Sequence, residues 1–152
     1  MTADEVANTN EEFLDRDDEG YDDDEYEDGR LEGLRILIVD DDRDVLQTFD
    51  VALRAEGALT ITASDGNTGL KRAEEDHPDV VVLDMMLPGR SGLFALEKIK
   101  GKEDSPQVIM VTANDGRRHQ QYAEQMGADG YMLKPVPLGQ LISKIEALTG
   151  RG

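Results

Sequence analysis

Five short runs rich in Val and Ile constrain this fold more than any other feature of the sequence. They are RILIV (35–39), ALTIT (58–62), DVVVL (79–83), QVIMV (107–111) and GYMLK (130–134). Short runs of this kind are the pattern of buried strands rather than half-exposed ones. The segments between them carry helical spacing. Val45, Leu46, Phe49, Ala52 and Leu53 follow the i, i+3, i+4, i+7 rule, as do Leu138, Leu141, Ile142, Ile145 and Leu148. Weaker helical segments are predicted over 66–76, 91–100 and 115–126. Asp42 is placed to cap the first helix and Gly57 to end it. Asp65-Gly66 opens the second helix, His77-Pro78 closes it, and Pro137 starts the last. Strands alternating with helices in this way predict an α/β domain: a doubly wound, five-stranded parallel sheet covered on both faces, in (βα)5 order.

Charge separates this domain from what precedes it. The chain of 152 residues has 34 Asp and Glu against 16 Lys and Arg, a net charge of -18. Residues 1–33 hold 15 acids and 2 bases, a net of -13, whereas the remaining 119 residues hold 19 acids and 14 bases. The sparse apolar residues Val6, Phe13, Leu14, Tyr21 and Tyr26 bury too little to offset the entropy of ordering this stretch. Residues 1–32 are therefore expected to be a disordered acidic tail and 33–152 a folded domain. Such a tail repels nucleic acid and anionic membrane. No cysteine is present, which excludes a disulfide framework and a Cys-based zinc site, and His77 and His119 are the only imidazoles. The acidic start MTADEV and the lack of a ~20-residue apolar run argue against secretion and membrane insertion. A soluble, cytoplasmic protein is the expectation.

In a parallel sheet of this kind, functional side chains gather outside the carboxyl ends of the strands. The first run ends in Asp40, Asp41 and Asp42, the third in Asp84, the fourth in Thr112, and the fifth in Lys134-Pro135. Carboxylates that converge would raise one another's pKa, and a hard divalent cation such as Mg2+ relieves the repulsion. The set also suits a chemistry, since an aspartate oxygen can attack a phosphoryl group. Asp84 is then the nucleophile and Asp40 and Asp41 hold Mg2+. Lys134 pairs with one phosphoryl oxygen and the Thr112 hydroxyl bonds another. Asp42 reads better as a helix cap than as a metal ligand.

The segments ILIVDDD, VVLDMMLPGRSG, VIMVTA and GYMLKP resemble, in order and spacing, the four marker segments of the receiver domain of two-component response regulators. The resemblance spans about Leu34 to Thr149. It implies a flavodoxin-like sheet of strand order 2-1-3-4-5, an order known for chemotaxis members of this family. It implies that Asp84 is the phosphoacceptor, that Asp40 and Asp41 form the acidic pair, and that Met86 offers its backbone carbonyl to Mg2+. Thr112 and Tyr131 would be the switch pair, Lys134 the family's lysine, with a cis bond before Pro135. A histidine kinase or a histidine phosphotransfer protein would be the donor. The fourth helix, fifth strand and fifth helix would then present a remodelled surface to a downstream protein target. On this view the domain is a phosphoacceptor rather than an enzyme, capable at most of slow self-phosphorylation from small donors and of autodephosphorylation.

Other readings fit less well. A flavin carrier needs a Gly/Ser/Thr loop of N–H donors after the first strand, where this chain has DDDRD, and no Gly-Lys-Ser phosphate loop occurs. A phosphorylation-independent interaction module working through the acidic tail is the remaining alternative. Because the chain stops at Gly152, signalling is expected by protein contact, as a switch or as a phosphorelay intermediate or sink. A monomer or a phosphorylation-dependent dimer is compatible with this. The family positions that tune autodephosphorylation are Met86 and Asn114 here, and an apolar Met86 predicts a long-lived phosphoryl group. The tail is also expected to reach basic residues such as Arg117 and Arg118.

Overall fold

Each of the five apolar runs forms a strand in the computed structural model, which describes residues 29–113 and 116–151. In chain order the elements are β1 (Arg35–Val39), α1 (Arg43–Ala55), β2 (Leu59–Ala63), α2 (Gly66–Asp76) and β3 (Val80–Asp84). They continue as α3 (Gly92–Lys100), β4 (Gln107–Thr112), α4 (Arg117–Gln125), β5 (Gly130–Leu133) and α5 (Leu138–Leu148). The strands pair in parallel in the order β2-β1-β3-β4-β5. This is the doubly wound, flavodoxin-like arrangement that the sequence predicts.

Side chains alternate across the sheet with period two, so the central strands β1, β3 and β4 feed two cores. Ile36, Ile38, Val80, Val82, Ile109 and Val111 pack with Phe49 and Leu53 of α1 and Leu141, Ile142 and Ile145 of α5. Leu37, Val39, Val81, Leu83, Val108 and Met110 pack on the opposite face with Leu96 and Ile99 of α3 and Ala123 of α4. Burying both faces is what removes polar alternation from β1, β3 and β4; the edge strands β2 and β5 are only partly buried, against the expectation for all five runs, and β2 keeps Thr60 and Thr62 with Leu59 exposed.

Element boundaries move by a residue or two, for local reasons. Ala58 donates its N–H to the Leu53 carbonyl at 3.1 Å and Gly57 donates to Arg54 at 3.0 Å, with Gly57 at φ +92°. This paired closure at a left-handed glycine keeps Ala58 in the helix terminus, so β2 begins at Leu59 rather than at Ala58. Asp42 caps α1 by accepting from the N–H groups of Asp44 at 2.9 Å and Val45 at 3.3 Å. Pro137 is the capping residue of α5 rather than its first helical residue, and α4 begins at Arg117 behind Gly116.

The packed chain also starts earlier than the charge boundary suggests. Leu31 is fully buried in the core shared by α1 and α5. Its N–H donates to the Glu56 carbonyl at 2.9 Å, and Arg30 bonds Ser143 and Glu146 of α5. Gly29 to Glu32 therefore belong to the fold; the rest of the acidic tail lies outside the described residues. Among the described residues, no helix is long and apolar enough to cross a membrane.

Candidate functional site

The parallel register brings the carboxyl ends of β1, β3, β4 and β5 to one edge of the domain. Val39 stands beside Leu83, Asp84 beside Val111, and Thr112 beside Leu133. Period-two alternation then assigns faces. Asp40 continues the Ile36 and Ile38 row, Asp84 the Val80 and Val82 row, and Lys134 the row of Met132, all on the α1 and α5 face. Thr112 continues the Val108 and Met110 row on the opposite face, to which Tyr131 also belongs.

Asp40, Asp84 and Thr112 are the only buried polar or charged residues among the described ones. The Lys134 ammonium lies 2.8 Å from Asp40 Oδ2 and 3.3 Å from Asp84 Oδ2. Asp41 is exposed, and one carboxylate oxygen from each of Asp40, Asp41 and Asp84 falls within 4.8 Å of the others. Asp40 Oδ1 accepts the N–H of Asp42 at 2.9 Å, and Asp84 Oδ1 accepts that of Met86 at 3.3 Å. Burial raises the Asp84 carboxyl above its ordinary pKa, the Asp40 charge adds to this, and Lys134 opposes it. Burial alone would lower the Lys134 ammonium, but its bonds to Asp40 and the charge of Asp84 outweigh that and raise it.

Three carboxylates beside a single ammonium leave negative charge uncompensated in a half-buried place. That donor set, all hard oxygens and open to water through Asp41, fits Mg2+. The peptide bond between Lys134 and Pro135 is cis, as the resemblance implies.

The loop after Asp84 is fastened at both ends. Gly92 N–H donates to the Met85 carbonyl at 2.9 Å, and a Cβ on Gly92 would overlap the Asp84 carbonyl oxygen. Gly66 at the start of α2 donates to the Pro88 carbonyl at 3.1 Å, and Arg90 Nε donates to Asn67 Oδ1 at 3.0 Å. Asn67 was not among the residues singled out by sequence, and Gly66 was read only as part of the opening of α2; their place at the capping Asp65 is the one signal. Met86 is 66% exposed beside the site, whereas Asn114 lies outside the described residues. His77 caps α2 in a left-handed conformation and His119 is an exposed residue of α4, so neither joins the cluster.

A family profile described as the response regulator receiver domain matches residues 36–146. Among solved structures, a CheY-like response regulator receiver domain protein from Methanospirillum hungatei is 32% identical, with a TM-score of 0.74 over 78% of this chain and 96% of its own. The receiver domain of Francisella response regulator 1452 is 27% identical, with a TM-score of 0.74 over 78% of this chain and 98% of its own. The receiver domain of DrrB, in a BeF3-activated form, is 29% identical, with a TM-score of 0.72 over 78% and 98% respectively.

Proposed function

The chain belongs to the response regulator receiver domain family, and from that premise we propose that Asp84 accepts a phosphoryl group from a histidine kinase or a histidine phosphotransfer protein. Receiver domains are phosphoacceptors in two-component signalling that bind Mg2+ at an acidic pocket. The observation that carries the assignment to Asp84 is its position: a buried carboxylate at the end of β3, with Lys134 3.3 Å away and the Asp40 and Asp41 carboxylates beside it.

The Asp84 carboxylate attacks phosphorus, a P–O bond forms, and the P–N bond to the donor imidazole breaks with its electron pair leaving on nitrogen. Attack brings an anion onto an anion, so the charge on the transferred oxygens must be balanced. Asp40, Asp41, Asp84 and the Met86 carbonyl would hold Mg2+, which would supply part of that balance as a Lewis acid. Lys134 supplies the remainder from the protein itself, and the N–H of Met86 orients the Asp84 carboxylate.

Thr112 and Tyr131 form the switch pair in this reading. Their support is a shared sheet face, with Thr112 buried at the end of β4 and Tyr131 packed on the core between the sheet, α3 and α4. Thr112 moves toward the phosphoryl group and Tyr131 turns inward, remodelling the surface of α4, β5 and α5 for a protein target. The new charge and its cation bias a two-state equilibrium.

Borohydride reduction tests the assignment, because it converts an aspartyl phosphate to homoserine that peptide mapping locates. Homoserine at position 84 is expected; homoserine at position 40 or 41 instead would overturn it.

A further inference from the structure

The loop between Asp84 and α3 is tied to α2 by more than its backbone. Asp65 fixes the first turn of α2 by accepting the Thr68 N–H at 2.7 Å and the Thr68 hydroxyl at 2.9 Å. Gly66 and Asn67 follow at the head of that helix. Gly66 enters the loop tip: its N–H donates to the Pro88 carbonyl at 3.1 Å, and a Cβ there would overlap the Arg90 carbonyl oxygen. So close an approach requires glycine. Arg90 then turns back over the contact. Its Nε donates to Asn67 Oδ1 at 3.0 Å, and its guanidinium carbon stands 4.4 Å from the centroid of the Phe94 ring in α3.

We infer, on the Mg2+ reading proposed above, that Arg90 is a positioning residue for the cation site. Held by Asn67 and Phe94, it pins the tip of the loop that carries Met86, and so pre-orders the Met86 carbonyl for the cation.

Little else holds this stretch. From Met86 to Arg90 the loop packs on the core through Leu87, while Met86, Pro88, Gly89 and Arg90 are exposed. The Met86 N–H reaches Asp84 Oδ1 at 3.3 Å, beyond the usual range for such a bond. The base of the loop is closed separately by the bond from Gly92 N–H to the Met85 carbonyl. Mg2+ demands near-ideal octahedral geometry, so a carbonyl ligand on a loose loop has to be ordered when the cation binds. The bridge from α2 through Arg90 to α3 removes part of that cost beforehand. By charge alone, an arginine on this loop opposes Mg2+. Positioning has the opposite sign, which separates the two roles by experiment.

Amide resonances of the isotope-labelled full chain test this, first in chelator and then over a Mg2+ titration. In wild type, Mg2+ is expected to shift the Asp41, Asp84 and Met86 signals. Arg90→Ala and Asn67→Ala should each bind Mg2+ about three- to tenfold more weakly, the scale of one ordinary hydrogen bond and less than the ~10–100-fold of a group bonded directly to a metal ligand. Melting in chelator should stay near that of wild type, since both side chains are exposed. Hydrogen exchange in chelator should quicken at the Gly66 amide in both variants and stay unchanged at Gly92. The double variant should bind no more weakly than Arg90→Ala, because both single changes break the same bond. Mg2+ affinity in Arg90→Ala equal to or tighter than that of wild type, or unaltered exchange at Gly66, overturns the inference and leaves the Mg2+ reading standing. A wild type whose signals do not respond to Mg2+ overturns both.

Discussion

Lys134 sits closer to Asp40, at 2.8 Å, than to Asp84, at 3.3 Å. The two carboxylates share one ammonium because alternation on β1, β3 and β5 aims all three side chains to the same face. Asp40 thus holds the lysine within reach of Asp84 while leaving an Asp84 oxygen to the Met86 N–H.

Removing that ammonium should weaken both the fold and the reaction. Lys134→Met leaves two neighbouring buried carboxylates without their cation. A fully buried pair broken this way costs about 3–5 kcal/mol, and the opening to water at Asp41 reduces this to about 1–3 kcal/mol. Urea unfolding with chelator present should register the loss, and the rate of phosphoryl uptake should fall sharply. Wild-type uptake by the variant would contradict the role given to Lys134.

The raised pKa of Asp84 makes a signed prediction for the metal-free protein. A carboxyl held above its ordinary value binds its proton more tightly in the folded state. Stability therefore falls as pH rises from about 4, the unfolded value, through the folded one. Asp84→Asn removes this cost, so its Tm advantage over wild type should grow with pH across that window and shrink when Mg2+ is added to wild type. Circular dichroism melts in chelator between acid and neutral pH check it. A variant less stable than wild type at neutral pH would refute it.

Met86 predicts the lifetime of the product. Its exposed apolar side chain offers no polar group to orient a hydrolytic water near Asp84. Met86→Asn should shorten the phosphoryl half-life several-fold, read by the decay of the phosphorylated mass. Equal or slower decay would remove the assignment.

Leu31 predicts where the folded unit begins. Although it sits in a strongly acidic neighbourhood of the sequence, it is fully buried. Leu31→Ala should cost about 2–5 kcal/mol by the usual loss for a buried leucine. A change below about 0.5 kcal/mol, the range of ordinary surface substitutions, would return residues 29–32 to the tail.

The legible parts of this protein are those that repeat a local rule. Central strands buried on both faces leave Val and Ile runs, the capping aspartates Asp42 and Asp65 mark helix starts, and five charged or hydroxyl residues at strand ends, Asp40, Asp41, Asp84, Thr112 and Lys134, mark the candidate site. Contacts that join distant segments leave almost no trace. Nothing local to Leu31 or Arg30 announces that they pack on α1 and α5, since charge averaged over the first 33 residues hides one leucine. Gly66 and Asn67 hold the loop after Asp84 only because α2 and that loop meet in space. The one-residue shift of β2 needed the Ala58 to Leu53 bond, which is set by the backbone at Gly57 rather than by hydrophobicity.

The most direct test of the central claim is the intact mass of the protein after incubation with Mg2+ and acetyl phosphate, beside Asp84→Asn and a sample in chelator. One added phosphoryl group in wild type, absent from both other samples, is the predicted result. Equal phosphorylation of Asp84→Asn, or phosphorylation that persists in chelator, would contradict a Mg2+-dependent aspartyl phosphate at Asp84.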